Sequence, residues 1–317
     1  MKGRIDSVTV VGFVKATIFG LTYLMVSNIL EKITIFDLLA YRFLTAALAF
    51  VLFRFLGLIK IDLAGKRIWS LAGIALLQPI GYYLFETIGI SKTGSLMSGI
   101  VVSMTPIVTM VLEAVILKEQ ANRKQKLFII LSTAGVVLIT VCAQNGGGDS
   151  SLAGILFILL AVLCEGFFVV FTRKSSERFT PMEITYVMML TSAVVFNGIN
   201  AVRRAAAGEL ANYFAPLLEL EVFWSIMYLG VQASSVAYLL YSFMLSKTKA
   251  SSTAVFAGVI TIVSIIAGIV FRDEAFFWYH AVGTVMILAG VWGVSRFKSE
   301  DCDLKIRAGG GRQHEGA

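Results

Sequence analysis

The chain has 317 residues, of which 57% are hydrophobic and 15% charged, and its mean hydropathy is +0.83. A soluble domain carries about 25% charged residues, so this composition excludes an ordinary soluble protein and indicates a multi-pass membrane protein. The formal net charge is +7. The three cysteines, Cys142, Cys164 and Cys302, lack metal-ligand spacing and predict neither a disulfide framework nor a metal site.

Ten segments are apolar over the length of about 20 residues that a helix needs to cross about 30 Å of hydrocarbon. In chain order they are 8–29, 35–57, 68–90, 94–117, 125–143, 152–172, 182–201, 222–245, 250–271 and 276–295. The first is too long for a cleavable signal peptide and is expected to remain a membrane helix. Residues 297–317 are polar and aperiodic, which predicts a disordered cytoplasmic tail.

Positive charges are distributed unequally between the two sides of these segments. With both termini in the cytoplasm, 20 of the 27 Lys and Arg residues lie on the cytoplasmic side, 5 lie on the opposite side and 2 lie within spans. Cytoplasmic loops carry the excess of basic residues in membrane proteins, so the pattern predicts this orientation. It also accounts for the basic net charge without a nucleic-acid partner.

The two halves of the chain repeat each other. Residues 69–140 align with 224–295 at a constant offset of 155, and the front of each half aligns at 146, which pairs Thr34 with Thr180 and Asp37 with Glu183. The halves, 8–143 and 152–296, each contain five spans, and because five is odd the second half must be inverted. The predicted fold is therefore all-α and integral to the membrane, with ten transmembrane helices in two inverted five-helix repeats, as in alternating-access carriers.

Short motifs recur in order along both halves. They are Phe19-Gly20, Tyr41-Arg42-Phe43, Ala46-Ala47, Phe85-Glu86, Pro106, Leu117-Lys118-Glu119 and Ala134-Gly135 in the first half, and Glu274 and Ala289-Gly290 in the second. Through these motifs, over residues 8–296, the chain resembles the drug/metabolite transporter superfamily, and specifically bacterial EamA-type carriers with two EamA repeats. The resemblance implies a plasma (inner) membrane location and movement of small organic metabolites, commonly amino-acid-like solutes and often outward.

Four charged residues lie deep within the predicted spans, where a charge costs about 2.5–3.5 kcal/mol unless it faces a cavity or a partner. Arg42 and Glu86 lie toward the outer side, and Lys15 and Glu165 share a level toward the cytoplasm. Their depths allow Arg42 to pair with Glu86 and Lys15 with Glu165, as structural ion pairs or as substrate-contacting or gating groups, but the sequence leaves open whether they do. Snorkelling of the basic side chains is the alternative. A desolvated Glu165 would also be able to carry a proton.

Polar residues also form stripes on two equivalent spans. Gln78, Tyr82 and Glu86 share one face of the third span, and Ser234, Tyr238 and Tyr241 share one face of the eighth. Such stripes either form interhelical hydrogen bonds or line a water-filled route. The convergence of tyrosines and charges favours a cavity for an organic solute. Pro106 is expected to kink the fourth span as a gating hinge, although its repeat partner is Thr261. The predicted substrate-binding residues are Lys15, Arg42, Gln78, Tyr82, Glu86, Glu165, Tyr238 and Tyr241.

The predicted function is a secondary transporter, an exporter or exchanger of small polar or amphipathic metabolites that works by alternating access. The sequence lacks a G-x-x-x-x-G-K-[ST] phosphate loop, so the energy is expected to come from a gradient, with a proton as a candidate coupling ion and without a cofactor. The alternatives are a carrier of anionic sugar phosphates and a lipid flippase. An enzyme is not expected, because the spans offer scattered glutamates and one terminal histidine rather than a facing catalytic set. Small-molecule substrate and membrane lipid are the expected partners.

Overall fold

A computed structural model describes residues 7–63, 66, 68–116, 122–145, 151–175, 179–247 and 255–310, and these residues form helices and their connections without a β-strand. The helices are α1 (Ser7–Ile29), α2 (Ile35–Phe55), α3 (Trp69–Ala75), α4 (Tyr82–Val102), α5 (Thr105–Ile116), α6 (Arg123–Asn145), α7 (Leu152–Ser175), α8 (Pro181–Ala206), α9 (Leu220–Met227), α10 (Ala237–Lys247), α11 (Val255–Arg272) and α12 (Trp278–Gly310). The all-helical fold predicted from the sequence is confirmed.

Two π-helical segments interrupt the bundle at equivalent positions of the two halves. The first, π1, spans Leu76–Gly81 between α3 and α4, and the second, π2, spans Tyr228–Val236 between α9 and α10. Shifting π1 by the repeat offset of 155 places it on residues 231–236, within π2. At Gln78, π1 leaves helical geometry altogether, with φ −141° and ψ 126°. Such segments are common at functional sites because they turn side chains and backbone groups out of the regular helical pattern.

Among the described residues, six helices are long and apolar enough to span a membrane, or seven if the bent pair Gly73–Val102 and Thr105–Ile116 is one span. Two shorter apolar helices, Gly258–Arg272 and Trp278–Val294, correspond to the ninth and tenth predicted segments. The third and fourth segments are not counted as separate spans, because the chain is helical on both sides of Gly94, where the φ angle is +79°. The exact number of ten spans therefore stays a prediction.

The two halves interlock rather than pack as separate domains. The four most extensive helix pairs are α6 with α12, α4 with α7, α1 with α11, and α2 with α8, and each pair joins the two halves. Glycines let the α6 and α12 backbones approach closely, since a Cβ atom on Gly290 would lie 2.5 Å from the Ser132 Cβ. Between α2 and α8, the rings of Phe43 and Phe196 stack with centroids 5.3 Å apart.

Equivalent caps begin α2 and α8, as the repeat predicts. The Thr34 side chain accepts a hydrogen bond from the Asp37 backbone N–H, and the Thr180 side chain accepts one from the Glu183 N–H within a full capping box. The last helix differs from expectation, because α12 continues to Gly310 through much of the segment predicted to be disordered. Residues 311–317 lie outside the described ones.

Candidate functional site

Side chains from both halves meet in the middle of the bundle in what we call the central cluster. Its members are Lys15 on α1, Arg42 on α2, Gln78 on π1, Tyr82, Tyr83 and Glu86 on α4, Glu165 on α7, Ser234 on π2, and Tyr238 and Tyr241 on α10. All eight residues predicted to bind substrate belong to it. Ser234 lies on the predicted polar stripe of the eighth span and Tyr83 follows Tyr82 in the sequence, and the structure adds both to the site through their contacts with Arg42.

Arg42 is the most completely enclosed charge of the cluster, with 0% of its surface exposed. Its Nε donates a hydrogen bond to the Ser234 Oγ at 3.0 Å, and its guanidinium carbon lies 4.2 Å from the centroid of the Tyr83 ring. Neither terminal nitrogen, Nη1 nor Nη2, has a hydrogen-bonding partner. Arg42 is therefore held at its inner nitrogen and its face, while its outer edge is unengaged.

Glu86 does not form the direct ion pair with Arg42 that its depth suggested. Its Oε1 accepts a hydrogen bond from the Tyr82 hydroxyl at 2.7 Å, whereas its Oε2 has no partner. The two charges interact only through space. The direct pair that the sequence left open does not form, because depth along a helix leaves the side-chain direction open, and the π2 segment directs Ser234 at the guanidinium instead.

Lys15 and Glu165 belong to the same cluster and likewise do not form a direct ion pair with each other. The Lys15 Nζ lies 4.3 Å from the centroid of the Tyr241 ring and 5.4 Å from that of Phe19, within cation–π range. The Glu165 Oε2 has no hydrogen-bonding partner. Lys15 and Glu165 interact through space, at the shared level that their spans predicted.

Gln78 and Tyr238 connect the two halves at the centre. The Gln78 Nε2 donates to the Tyr238 hydroxyl at 3.2 Å, and that hydroxyl lies 3.4 Å from the Tyr83 hydroxyl. The Gln78 Oε1 has no partner. The two predicted polar stripes therefore meet, through residues that the helix breaks in π1 and π2 bring close together.

The unpartnered atoms define what the central cluster can bind. They comprise donors on Arg42 and acceptors on Gln78, Glu86 and Glu165, all buried. A buried polar group without a partner costs about 1–3 kcal/mol, and more when it is charged, so these atoms are sites for a polar ligand. The rings of Tyr83 and Tyr241, which lie against Arg42 and Lys15, supply apolar contact. This combination suits a small organic molecule that carries both positive and negative groups.

A second set of charged residues lies at one end of the bundle, which we call the charged end, where residues 28–37 meet residues 200–221 and 272–274. Asp37 is buried there and accepts from Arg204 Nε at 2.8 Å, Arg203 Nη2 at 2.9 Å and Asn200 Nδ2 at 3.0 Å. A cavity of about 300 Å³ opens beside it, lined in part by Lys32, Arg203 and Glu209. The alignment of the two repeats, which matches Asp37 with Glu183, singled out this position in the sequence. It did not predict the residues that Asp37 contacts.

Further contacts at the charged end also join the two halves. Lys32 binds both Glu219 and Glu221, and hydrogen bonds from these carboxylates raise the pKa of its ammonium group. Arg272 binds Glu31 and the Asn28 side chain, each at 2.7 Å. Glu274 accepts hydrogen bonds from the backbone N–H groups of residues 95 and 96. This end is therefore tied together across the repeat.

Pro106 lies in the first turn of α5, and the helix axis bends by 57° between α4 and α5. The bend expected near this proline is present, and it falls between Val102 and Thr105. The equivalent position, Thr261, lies inside α11, which continues unbroken from Val255 to Arg272. The bend is thus confined to the first half. Lys118 and Glu119 of the fourth-span motif lie outside the described residues.

Comparison with known proteins identifies a family, relatives and a solved structure to which the chain is similar. The sequence matches the model of the EamA-like transporter family twice, at residues 7–141 and 152–296. It is 38% identical to the uncharacterized transporter YcxC of Bacillus subtilis over 87% of this chain and 88% of the relative. It is 22% identical to an uncharacterized transporter of Archaeoglobus fulgidus over 88% of this chain and 95% of the relative. One crystal structure matches in fold, with a TM-score of 0.60 at 13% identity, covering 92% of this chain and 98% of that chain.

Proposed function

The chain belongs to the EamA-like transporter family, within the drug/metabolite transporter superfamily, and from this premise we propose that it is a secondary carrier of small zwitterionic metabolites. Amino-acid-like solutes are the substrate class, and the chain acts as an exporter or exchanger by alternating access. It resides in the plasma membrane with both termini in the cytoplasm. That the protein is a multi-pass membrane transporter follows from the family and from its apolar helices.

The observation that carries this proposal is the balance of charge in the central cluster. Two cations, Lys15 and Arg42, and two carboxylates, Glu86 and Glu165, meet there without a direct ion pair between them, and three of the four have unpartnered polar atoms. A zwitterion adds no net charge to such a site and supplies a partner for both signs. An unbalanced ion would leave a buried net charge, which is expensive away from water.

Alternating access follows from the position of the cluster between the repeats. The loops of the charged end hold fewer Lys and Arg residues than those of the opposite end, which supports an extracytoplasmic position for the charged end. Its contacts across the repeat close that end over the cluster. For substrate to leave on that side, contacts such as Arg272 with Glu31 must separate while the opposite end closes.

Energy for transport would come from an ion or substrate gradient. Glu86 and Glu165 are the groups able to carry a proton through the membrane, because each has one carboxylate oxygen without a partner. Binding of substrate between them and the cations would link proton release to substrate movement. The proton is therefore the proposed coupling ion.

The test is flux into liposomes that contain the purified protein. Radiolabelled amino acids of small, aliphatic and aromatic type are supplied with and without an imposed pH gradient. We expect uptake of at least one of them, faster with the gradient, and competition by its unlabelled form. Uptake of none of them together with protein-dependent movement of a fluorescent lipid between leaflets would contradict the proposal and favour a flippase.

One observation favours a second candidate, a carrier of anionic solutes such as sugar phosphates. Neither cation is neutralised by direct contact with a carboxylate, so both are able to bind an anion. In that case sugar phosphates would compete for uptake and amino acids would not. The same flux assay, run with both sets of competitors, separates the two candidates.

A further inference from the structure

Arg42 presents a forked pair of donors to the centre of the bundle. Its side chain is fixed at two points, by the hydrogen bond from Nε to Ser234 and by stacking on the Tyr83 ring, and it is fully buried. The fixed points leave Nη1 and Nη2 together on one edge, and both lack partners. Two parallel N–H groups on that edge match the two oxygens of a carboxylate or the oxygens of a phosphate.

Lys15, the other cation of the cluster, does not offer this geometry. Its ammonium lies over the Tyr241 and Phe19 rings, where it acts as a point charge held by two π faces. An ammonium on a flexible stem recognises charge but not the planar arrangement of two oxygens. The two cations therefore have different roles, and Arg42 is the one built for recognition of an oxyanion.

We infer that Arg42 is the oxyanion receptor of the transport site and that Ser234 and Tyr83 are the residues that position it. This inference rests on the proposed function and goes further, because it requires every transported solute to carry an oxyanion group. Ser234 belongs to the second half and Arg42 to the first, so the receptor is assembled across the repeat. A change in the docking of π2 against α2 would alter it.

The carboxylates indicate which oxyanion fits best. Lys15 and Arg42 together balance Glu86 and Glu165, so a bound phosphate dianion would leave two buried negative charges uncompensated, whereas an amino acid would leave none. The Glu86 Oε2 and Glu165 Oε2 are free to accept from the ammonium group of such a solute. The geometry of Arg42 alone would bind either a carboxylate or a phosphate, and the experiment distinguishes the two.

The experiment measures affinity of purified full-length protein in detergent by ligand-induced thermal stabilisation. The probes are L-alanine, L-leucine and L-phenylalanine, the carboxamide of each, the amine that lacks the carboxylate, and phenyl phosphate. The variants are Arg42→Gln, Arg42→Lys, Ser234→Ala and Ser234→Thr. Ser235→Ala is the matched control, because Ser235 is equally buried but bonds only to the backbone carbonyls of Gly230 and Ala46.

We expect the wild type to bind at least one amino acid about tenfold or more tightly than its carboxamide, which corresponds to about 1.4 kcal/mol. Arg42→Gln and Arg42→Lys should remove this preference, since neither offers a charged fork. Ser234→Ala should reduce it, Ser234→Thr should restore it, and Ser235→Ala should leave it unchanged. The ratio of acid to carboxamide affinity is the readout, because a general loss of stability would weaken both ligands alike.

Each of the other possible results contradicts the oxyanion receptor, the zwitterion proposal or both. A preference for the acid over the carboxamide that persists in Arg42→Gln would overturn the receptor while leaving a zwitterion carrier in place. Binding of phenyl phosphate alone, lost in Arg42→Gln, would support the receptor and overturn the zwitterion proposal. Binding of none of the oxyanion probes would overturn both. An Arg42 variant that elutes as aggregate is replaced by Arg42→Met, which keeps an unbranched apolar stem without the charge.

Discussion

At the scale of single residues, the central cluster is held by tyrosines rather than by ion pairs. Tyr83 lies under Arg42, Tyr241 lies under Lys15 and Tyr82 donates to Glu86. Ring faces attract cations without neutralising them, so the charges stay available to a ligand in a way that a closed salt bridge would prevent. The residue types of this site could be read from the sequence, but their partners could not, because rotation about each helix axis is set by packing.

The two carboxylates provide a test of substrate charge. Glu86→Gln or Glu165→Gln should weaken binding of an amino acid about tenfold or more, since a hydrogen bond to a charged group contributes about 1.5–3 kcal/mol. Binding of phenyl phosphate should be unchanged or stronger. Thermal stabilisation by each ligand measures both effects, with Glu209→Gln at the charged end as the control. Unchanged amino-acid affinity in both variants would argue against a zwitterion.

Asp37 should be important for stability rather than for binding. Only 2% of it is exposed, and Asp37→Asn would leave Arg204, itself 7% exposed, without its carboxylate. Removal of one partner of a buried ion pair typically costs about 3 kcal/mol or more, so the melting temperature in detergent should fall by several degrees. Glu31→Gln is the control, since its exposed pair with Arg272 should contribute less than about 1 kcal/mol. An equal effect of both substitutions would contradict this account.

At the scale of elements, the apolar segments predicted most of the helices, and the repeat predicted where equivalent features recur. The caps at Thr34 and Thr180 and the paired π segments bear this out. The break at Gln78 is one that Pro79 favours, because a residue before proline is disfavoured in helical geometry, but the apolar pattern of the segment predicted an unbroken span. The continuation of the helix past Gly94 was not predictable from nearby residues. The carboxylate that accepts a hydrogen bond from the backbone there belongs to Glu274, which is distant in sequence.

Close packing of α6 against α12 gives a prediction for an element pair. In Gly290→Ala, the new Cβ would lie 2.5 Å from the Ser132 Cβ and 2.7 Å from the Phe128 carbonyl oxygen, so the helices must separate. Overpacking of this kind costs about 1–3 kcal/mol and should lower the melting temperature. Gly198→Ala on α8 is the control, because no atom lies within 4 Å of its Cβ position. If the control destabilised the protein as much, close packing at Gly290 would not be the cause of the effect, since alanine has a higher helix propensity than glycine.

At the scale of the whole molecule, the most extensive contacts all cross between the halves, so the repeats cannot separate as independent bodies. The α2 and α8 pair is fastened at both ends, by Asp37 with Arg204 and by Glu183 with Lys66 at 2.8 Å. This pair is therefore expected to move as one unit. The contacts of Lys32 and Arg272 lie outside it and at one end only, which makes them the ones that opening of that end would break.

A double variant tests whether the contacts of Lys32 and Arg272 are the ones that break when the charged end opens. Lys32→Ala with Arg272→Ala removes contacts to Glu219, Glu221 and Glu31 and should favour the state in which the central cluster is open at the charged end. The reporter is Thr87→Cys, buried beside Glu86, in a chain whose three native cysteines are replaced by serine. In right-side-out vesicles, its reaction with a membrane-impermeant thiol reagent should become several-fold faster.

The matched control is Lys60→Ala, which removes an exposed lysine from the loop after α2, on the side of the bundle opposite the charged end. It should leave the labelling rate unchanged. Faster labelling in the double variant alone would mean that the equilibrium between the two states is set by these few contacts, because a ligand or mutation shifts a two-state equilibrium only by its differential stabilisation of the states. An unchanged rate in a double variant that remains folded would show that closure of this end depends instead on Glu274 and the α4 break.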